Sequence, residues 1–273
     1  MKQQSYRLLA LDMDGTLLNS QHLILESSLK ALQKAKENGI KIVLATGRHH
    51  LAARPYHVQL QLDTPMICCN GTYSFDMAEQ KVFNANPLSL EQATAMLDIG
   101  DELGISMALY VPDAMTMGEM IPYIGKMKSW ADSLPEHLRP VVRINNLREE
   151  AENANQIFKI IYTHSDPDTL REGVRRVNDV VAVSSEYSWI DRVDICNSGN
   201  TKGNSLQKIA DLCGIDMSEV VAVGDNENDI SMLRAAGLGV AMKGLSYVES
   251  EADLVIGTND ENSIERIVEE FLL

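Results

Sequence analysis

The chain has 273 residues, 45% of them apolar, and carries 39 acidic against 24 basic side chains, a formal charge of −15. That length accommodates about two domains with ordinary cores, so neither disorder nor disulfide stapling is implied. The negative surface argues against nucleic acid and against an anionic membrane as extended partners, but a small anion can still bind where a metal ion or backbone dipoles reverse the sign locally.

The opening MKQQSYRLLALDMDG does not have the form of a secretory signal, because its apolar run is short and meets Asp12 at once. No stretch approaches the ~18 continuous apolar residues of a membrane span. Cys68, Cys69, Cys196 and Cys213 show no C-x-x-C spacing, so core thiols in a reducing cytoplasm are expected. Residues 7–11 form an apolar run ending in Asp12-Met13-Asp14-Gly15-Thr16, which reads as a buried strand and a polar turn. Leu25, Leu29, Leu32 and Ala35 then recur at helical spacing, closed by Asn38-Gly39. Ile40–Ala45 is a second strand, ending in Thr46-Gly47-Arg48, and Pro65–Cys69 a third, ending in Asn70-Gly71. Strand, helix, strand in this order indicates a parallel sheet.

Between about Lys81 and Glu186 the pattern is mixed. A helix is expected near 90–103, strands at Ser106–Val111 and Phe158–Thr163, and a helix near 168–178. Met115, Met117, Met120 and Met127 are expected to pack within this region. The earlier rhythm then returns: a helical face at Leu206, Ile209, Ala210 and Cys213, a strand at Val220–Val223 ending in Gly224-Asp225, and a helix around Ile230 and Leu233. Short strands follow at Val240–Met242 and Leu254–Ile256, and an amphipathic helix carries Ile264, Ile267, Val268 and Phe271. The fold class is therefore α/β, a doubly wound parallel core sheet with an inserted α+β domain. The core is expected over 1–82 and 188–273, and the insertion over 83–187.

In an open parallel sheet, ligands bind beyond the carboxyl ends of the strands. Asp12, Asp14, Thr46, Asn70, Asp225 and Asp229 stand there. Each has a plainer reading when taken alone. Asp before Gly suits turns, Thr46 could cap a helix, Asp225 and Asp229 suit a helix first turn, and Lys202 could be a solvated lysine. Together they converge on one place, and four acids there need a cation; oxygen-only ligands select a hard ion, Mg²⁺. A carboxylate at a rigid strand end, Asp12, can attack phosphorus and form an aspartyl-phosphate. A second carboxyl two residues on, Asp14, can serve as acid and then base, provided the two differ in protonation. The phosphoryl group in flight needs donors, and Thr46, the turn amides after Asp12 and Lys202 supply them.

These residues together resemble the four motifs of the haloacid dehalogenase superfamily of phosphotransferases. The motifs are Asp12-Met13-Asp14-Gly15-Thr16, Thr46 in Ala-Thr-Gly-Arg, Lys202, and Gly224-Asp225-Asn226-Glu227-Asn228-Asp229. The insertion between the second and third motifs resembles the class IIB cap of the Cof-like phosphatases. The resemblance implies Asp12 as nucleophile and Asp14 as acid/base, Thr46, Gly47 and Lys202 on phosphate, and Asp12, Asp14 and Asp225 on Mg²⁺ with Asn228 and Asp229 in support. Arg48, His49, Asn70 and Trp189 are the candidate substrate contacts. His50 shares with His49 the expectation that one of the pair faces the cleft. Thr46-Gly47-Arg48-His49-His50, Cys68-Cys69-Asn70-Gly71-Thr72-Tyr73 and Glu186-Tyr187-Ser188-Trp189 are similar to members of this subfamily that act on pyridoxal phosphate. That similarity implies a small phosphorylated metabolite as the partner: pyridoxal 5′-phosphate, or sugar phosphates such as fructose 1,6-bisphosphate and erythrose 4-phosphate. A phosphosugar mutase would use the same acids, and a non-catalytic phospho-acceptor module would share the acid cluster, threonine and lysine. No feature of the sequence assigns an oligomeric state.

Overall fold

The computed structural model describes residues 6–119 and 122–273 of the chain. They divide into two compact units. One holds the chain up to Gly47, Tyr56–Phe83 and Thr201–Leu273; the other holds Arg48–Pro55 and Asn84–Asn200.

The first unit begins with β1 (Leu8–Leu11), α1 (Glu26–Glu37), β2 (Lys41–Leu44), α2 (His50–Gln59, its first turns in the other unit) and β3 (Met66–Cys68). A short antiparallel ladder follows, β3 with β4 (Tyr73–Asp76) and β4 with β5 (Lys81–Phe83). All four residues of β1 are buried, as expected of a strand covered on both faces.

The second unit contains α3 (Leu90–Leu103), β6 (Ser106–Val111), β7 (Ala114–Met117), α4 (Pro122–Ser133), β8 (Val142–Ile144), α5 (Leu147–Asn153), β9 (Lys159–Thr163), α6 (Pro167–Val180), β10 (Val183–Trp189) and β11 (Arg192–Asn197). Its six-stranded sheet has the order β10-β11-β9-β6-β7-β8, antiparallel except for β7 with β8. Leu109, Val111, Ile160, Tyr162, Val193 and Ile195 point to one face, where they pack with Met96 and Leu97 of α3 and Leu170 and Val177 of α6. A capping box at Ser89 and Gln92 starts α3, and the Asp166 carboxylate caps α6, each worth about 1 kcal/mol. Met115 and Met117 are fully buried. Met120 lies outside the described residues.

The chain returns to the first unit with α7 (Lys202–Cys213), β12 (Val220–Gly224), α8 (Ile230–Ala235), β13 (Leu238–Met242), α9 (Ser246–Glu249), β14 (Leu254–Ile256) and α10 (Ser263–Ile267), the last extended by a wide turn over Val268–Leu272. The five-stranded parallel sheet has the order β14-β13-β12-β1-β2. Ala45 bridges to Ile67, which aligns the end of β3 beside β2. A separate core, including Leu8, Val43, Leu206, Ile209, Val220 and Met232, fills this unit.

Two boundaries differ from the expectation. The expected exit at 187/188 falls inside the β10–β11 hairpin, and because β11 also pairs with β9, the chain leaves the second unit only after Asn200. Arg48–Pro55 also packs with the second unit, since the His49 ring donates to the Val111 carbonyl and stacks edge-on against Tyr110.

Candidate active site

β1 and β12 lie side by side at the centre of the parallel sheet, and their carboxyl ends carry Asp12 and Asp225. The Asp12 amide donates to the Val223 carbonyl (3.0 Å), extending the ladder by one residue and fixing Asp12 at its tip. Between Asp12 and Thr16 the chain turns through Gly15 at φ +88°. A Cβ there would lie 2.3 Å from the Asp225 carboxylate, so only glycine passes this point. The turn delivers the Thr16 hydroxyl to Asp225 Oδ1, 2.7 Å away.

Lys202, the first residue of α7, is fully buried. Its ammonium donates to Asp12 Oδ1 (2.5 Å) and to Asp229 Oδ1 (2.6 Å). The other oxygen of Asp229 accepts the backbone amides of Asp225 (2.9 Å) and Asn226 (3.0 Å). Asp229 thus caps its own turn, as the plainer reading of the sequence had it, and also holds the lysine.

Carboxylate oxygens of Asp12, Asp225 and Asp229 all lie within 4.8 Å of one another. Three carboxylates face a single ammonium, and the imbalance shows in their proton affinities. Burial, then Asp229, raise the Asp12 pKa well above the usual carboxylate range against the opposing pull of Lys202. Burial and Asp229 likewise push Asp225 up to about 6. Burial alone would lower the Lys202 pKa, but Asp12 and Asp229 outweigh it and hold the ammonium charged. A hard divalent cation fits this donor set, because it would cancel the excess negative charge with oxygen ligands alone. Asp229 has its oxygens committed to Lys202 and two amides, which leaves Asp12 and Asp225 as the carboxylates best placed to hold such an ion.

Thr46, two residues past β2, is buried and donates its amide to Ile67. Beyond β3 the chain adopts three successive left-handed residues: Cys69 (φ 48°), Asn70 (φ 57°) and Gly71 (φ 90°). For the two non-glycines such geometry costs of order 1–2 kcal/mol each. It places the Asn70 amide on the Thr46 carbonyl (3.1 Å) and the Asn70 Oδ1 against the Asn228 amide nitrogen (3.1 Å). Asn70 also lies over Gly47, where a Cβ would sit 2.7 Å from its Oδ1.

Asp12, Thr46, Gly47, Asn70, Lys202, Asp225, Asn228 and Asp229 therefore all belong to one unit, at the carboxyl end of one sheet or in the loops tied to it. Asp14 belongs to the same turn but is not one of the three clustered carboxylates. Its side chain is 46% exposed, with Oδ1 3.5 Å from His22 Nδ1. Arg48, His49 and Trp189 lie in the other unit. Arg48 stacks its guanidinium 5.8 Å from the Trp130 ring centroid.

The sequence expectation had one of His49 and His50 facing a cleft. Both are buried. His49 donates from Nε2 to the Val111 carbonyl (2.8 Å) and accepts the Leu51 amide at Nδ1 (3.2 Å), so both ring nitrogens are occupied. Burial lowers their pKa values to about 3 and about 2, keeping both neutral. Trp189 is 66% exposed beside Ile190 on the β10–β11 hairpin and fills no core. Sequence reasoning missed Thr16 as the partner of Asp225. The signal for it was present in the threonine that follows Asp-x-Asp-Gly.

Comparison with known proteins agrees with this geometry. The model of the haloacid dehalogenase-like hydrolase family matches residues 9–268. The pyridoxal phosphate phosphatase YbhA of Escherichia coli is 40% identical over 269 residues, covering 98% of this chain and 99% of that protein. Among solved structures, a phosphatase of the same superfamily from Bacteroides thetaiotaomicron superposes with a TM-score of 0.83 at 25% identity, covering 100% of this chain and 97% of that one. A subclass IIB sugar phosphatase superposes at 0.81 with 26% identity, covering 98% and 100%. A match that runs through both outer segments and the insertion, on a sheet whose carboxyl end gathers Asp12, Lys202, Asp225 and Asp229, means that the chain belongs to the haloacid dehalogenase-like hydrolases.

Proposed function

We propose that this protein is a Mg²⁺-dependent phosphatase that hydrolyses small phosphomonoesters through an aspartyl-phosphate on Asp12. The observation that carries the reading is the buried Lys202 clamped between Asp12 and Asp229, with Asp225 alongside. In this reading residues 84–200 form the inserted cap, and the outer segments form the catalytic core.

Asp12, rigid at the tip of β1, attacks phosphorus in line with the leaving oxygen. Asp14 donates its proton to the departing alcohol, then takes a proton from the water that cleaves the aspartyl-phosphate and frees Asp12. The exposure of Asp14 leaves it open to the water whose proton it takes back in the second step. The Thr46 hydroxyl and the Lys202 ammonium meet the charge on the equatorial phosphoryl oxygens. Asp12 and Asp225 would hold Mg²⁺, which when bound supplies positive charge that keeps Asp12 ionised and offsets the charge of the phosphoryl group.

The relatives supply the candidate substrates. The Escherichia coli protein named as a pyridoxal phosphate phosphatase makes pyridoxal 5′-phosphate the first candidate, and the subclass IIB sugar phosphatase makes sugar phosphates the second. All four cysteines are thiols outside any disulfide, which suits work in a reducing cytoplasm. The test is phosphate release from pyridoxal 5′-phosphate, fructose 1,6-bisphosphate and erythrose 4-phosphate, with Mg²⁺ and after chelation. Release that stops on chelation is expected. An isomeric sugar phosphate as the product, a phosphoprotein that persists for hours, or release untouched by chelator would contradict the proposal.

A further inference from the structure

The left-handed turn after β3 touches the site at several points. The Asn70 amide donates to the Thr46 carbonyl at 3.1 Å. The Asn70 Oδ1 accepts from the Asn228 side chain at 3.1 Å. The Gly71 carbonyl accepts the Ser205 hydroxyl of α7 at 2.9 Å, in a fully buried hydrogen bond. The Gly71 backbone also presses against Thr201, so closely that a Cβ would lie 2.2 Å from the Thr201 carbonyl oxygen. Thr201 is the residue before Lys202. Two residues, Asn70 and Gly71, thus bind the loop of Thr46, the start of the Lys202 helix and the loop of Asn228 into one piece.

Two observations show that this arrangement is built for more than a change of direction. Cys69 and Asn70 hold left-handed backbone that side-chain-bearing residues avoid, and such strain persists only where the surroundings over-determine it. The Asn228 Oδ1, the other end of the amide held by Asn70, is buried with no hydrogen-bond partner. The Asn228 amide therefore has one end fixed by Asn70 and one end uncommitted. Because the Asn70 Oδ1 beside Gly47 can only accept, it holds the NH2 end of Asn228 on that side, and the second hydrogen of this nitrogen is the one a phosphate can take.

We infer that Asn70 is a positioning residue: it orients the Asn228 amide toward the phosphate-binding loop and ties that loop's Thr46 to the same turn. The inference rests on the phosphatase reading and deepens it, moving Asn70 from substrate contact to keystone of the phosphate site. Asn70 acts through Asn228, so removing either side chain removes the same interaction.

A double-mutant cycle tests this on the whole protein. Asn70→Gly keeps the left-handed backbone, which glycine adopts freely, and removes only the side chain. Asn228→Ala removes the partner. Binding of inorganic phosphate in the presence of Mg²⁺ is measured by calorimetry, and turnover of p-nitrophenyl phosphate is measured alongside. Each single variant is expected to weaken phosphate binding about ten-fold, with a thermal midpoint close to that of the wild type, and the double variant no more than the weaker single. A merely structural role would make the two losses multiply. Multiplying losses, or an Asn70→Gly protein that binds phosphate like the wild type, overturns the inference. Should Asn70→Gly not fold, the same cycle on Asn70→Ser decides by the same criterion. Wild-type protein that binds phosphate but cleaves no ester contradicts the proposed reaction while leaving the cycle to decide on Asn70.

Discussion

At Lys202 a single ammonium answers to two buried carboxylates, and the two sides of that contact respond oppositely to mutation. Lys202→Met leaves Asp12 and Asp229 buried without their cation, so a loss of about 3–5 kcal/mol in urea unfolding is expected, together with loss of turnover. Asp12→Asn relieves crowding among three carboxylates. It should abolish turnover while the metal-free protein melts at or above the wild-type temperature. Asp225, pushed up to about 6, adds a pH signature. Its native pKa lies above the ordinary carboxylate value, so the stability linked to its proton is present at low pH and lost as pH rises through about 6. Mg²⁺ held by Asp225 would compete with that same proton. The rise in melting temperature on adding Mg²⁺ should therefore be small at about pH 5 and large at about pH 7.5; equal rises at both would contradict a metal site on Asp225.

At the scale of elements, turns hold the site together more than helices or strands do. Gly71→Ala would place a Cβ in left-handed backbone and against the Thr201 carbonyl. A loss of about 2–4 kcal/mol is expected by denaturant titration, with Lys202 displaced and activity reduced accordingly. The same scale explains what could be read from the chain. β1 and β12 were legible because apolar runs buried in a sheet need no partner to be recognised, and the residue after each names the site. β4, β5 and β10 were not. Tyr-Ser-Phe-Asp, Lys-Val-Phe and Val-Ser-Ser-Glu-Tyr-Ser-Trp mix polar and apolar residues, and only long-range pairing makes them strands. The hidden pairing of β10 with β11 is also why the expected domain exit fell short. His49 shows the limit at one residue: the sequence places it after the Thr46 turn, but its ring is held by the Val111 carbonyl, 62 residues away.

For the molecule as a whole, the formal charge of −15 argues against nucleic acid and anionic membranes, which meet the entire surface. It does not argue against a small phosphate, which would meet only the local charge around Lys202 and any cation held beside it. No described helix is long and apolar enough to cross a membrane. Substrate choice is where the reading from sequence is thinnest, because Trp189 and the rest of the insertion belong to a unit with its own core and its own sheet. If the exposed Trp189 ring stacks on the pyridine of pyridoxal phosphate, Trp189→Ala should raise KM several-fold for that ester and leave KM for a sugar phosphate nearly unchanged. Equal effects on both would remove stacking from the account.

The central claim is that Asp12 itself carries the phosphoryl group. In the proposed mechanism Asp14→Asn removes the base that activates water while leaving Asp12 free to attack an ester with a good leaving group. Mass spectrometry of that variant, quenched in acid after exposure to p-nitrophenyl phosphate and Mg²⁺, should find one added phosphoryl group on the peptide containing Asp12. The adduct should be absent from the Asp12→Asn/Asp14→Asn double variant. An Asp14→Asn protein that turns over at the wild-type rate, or an adduct on any residue other than Asp12, would contradict the mechanism.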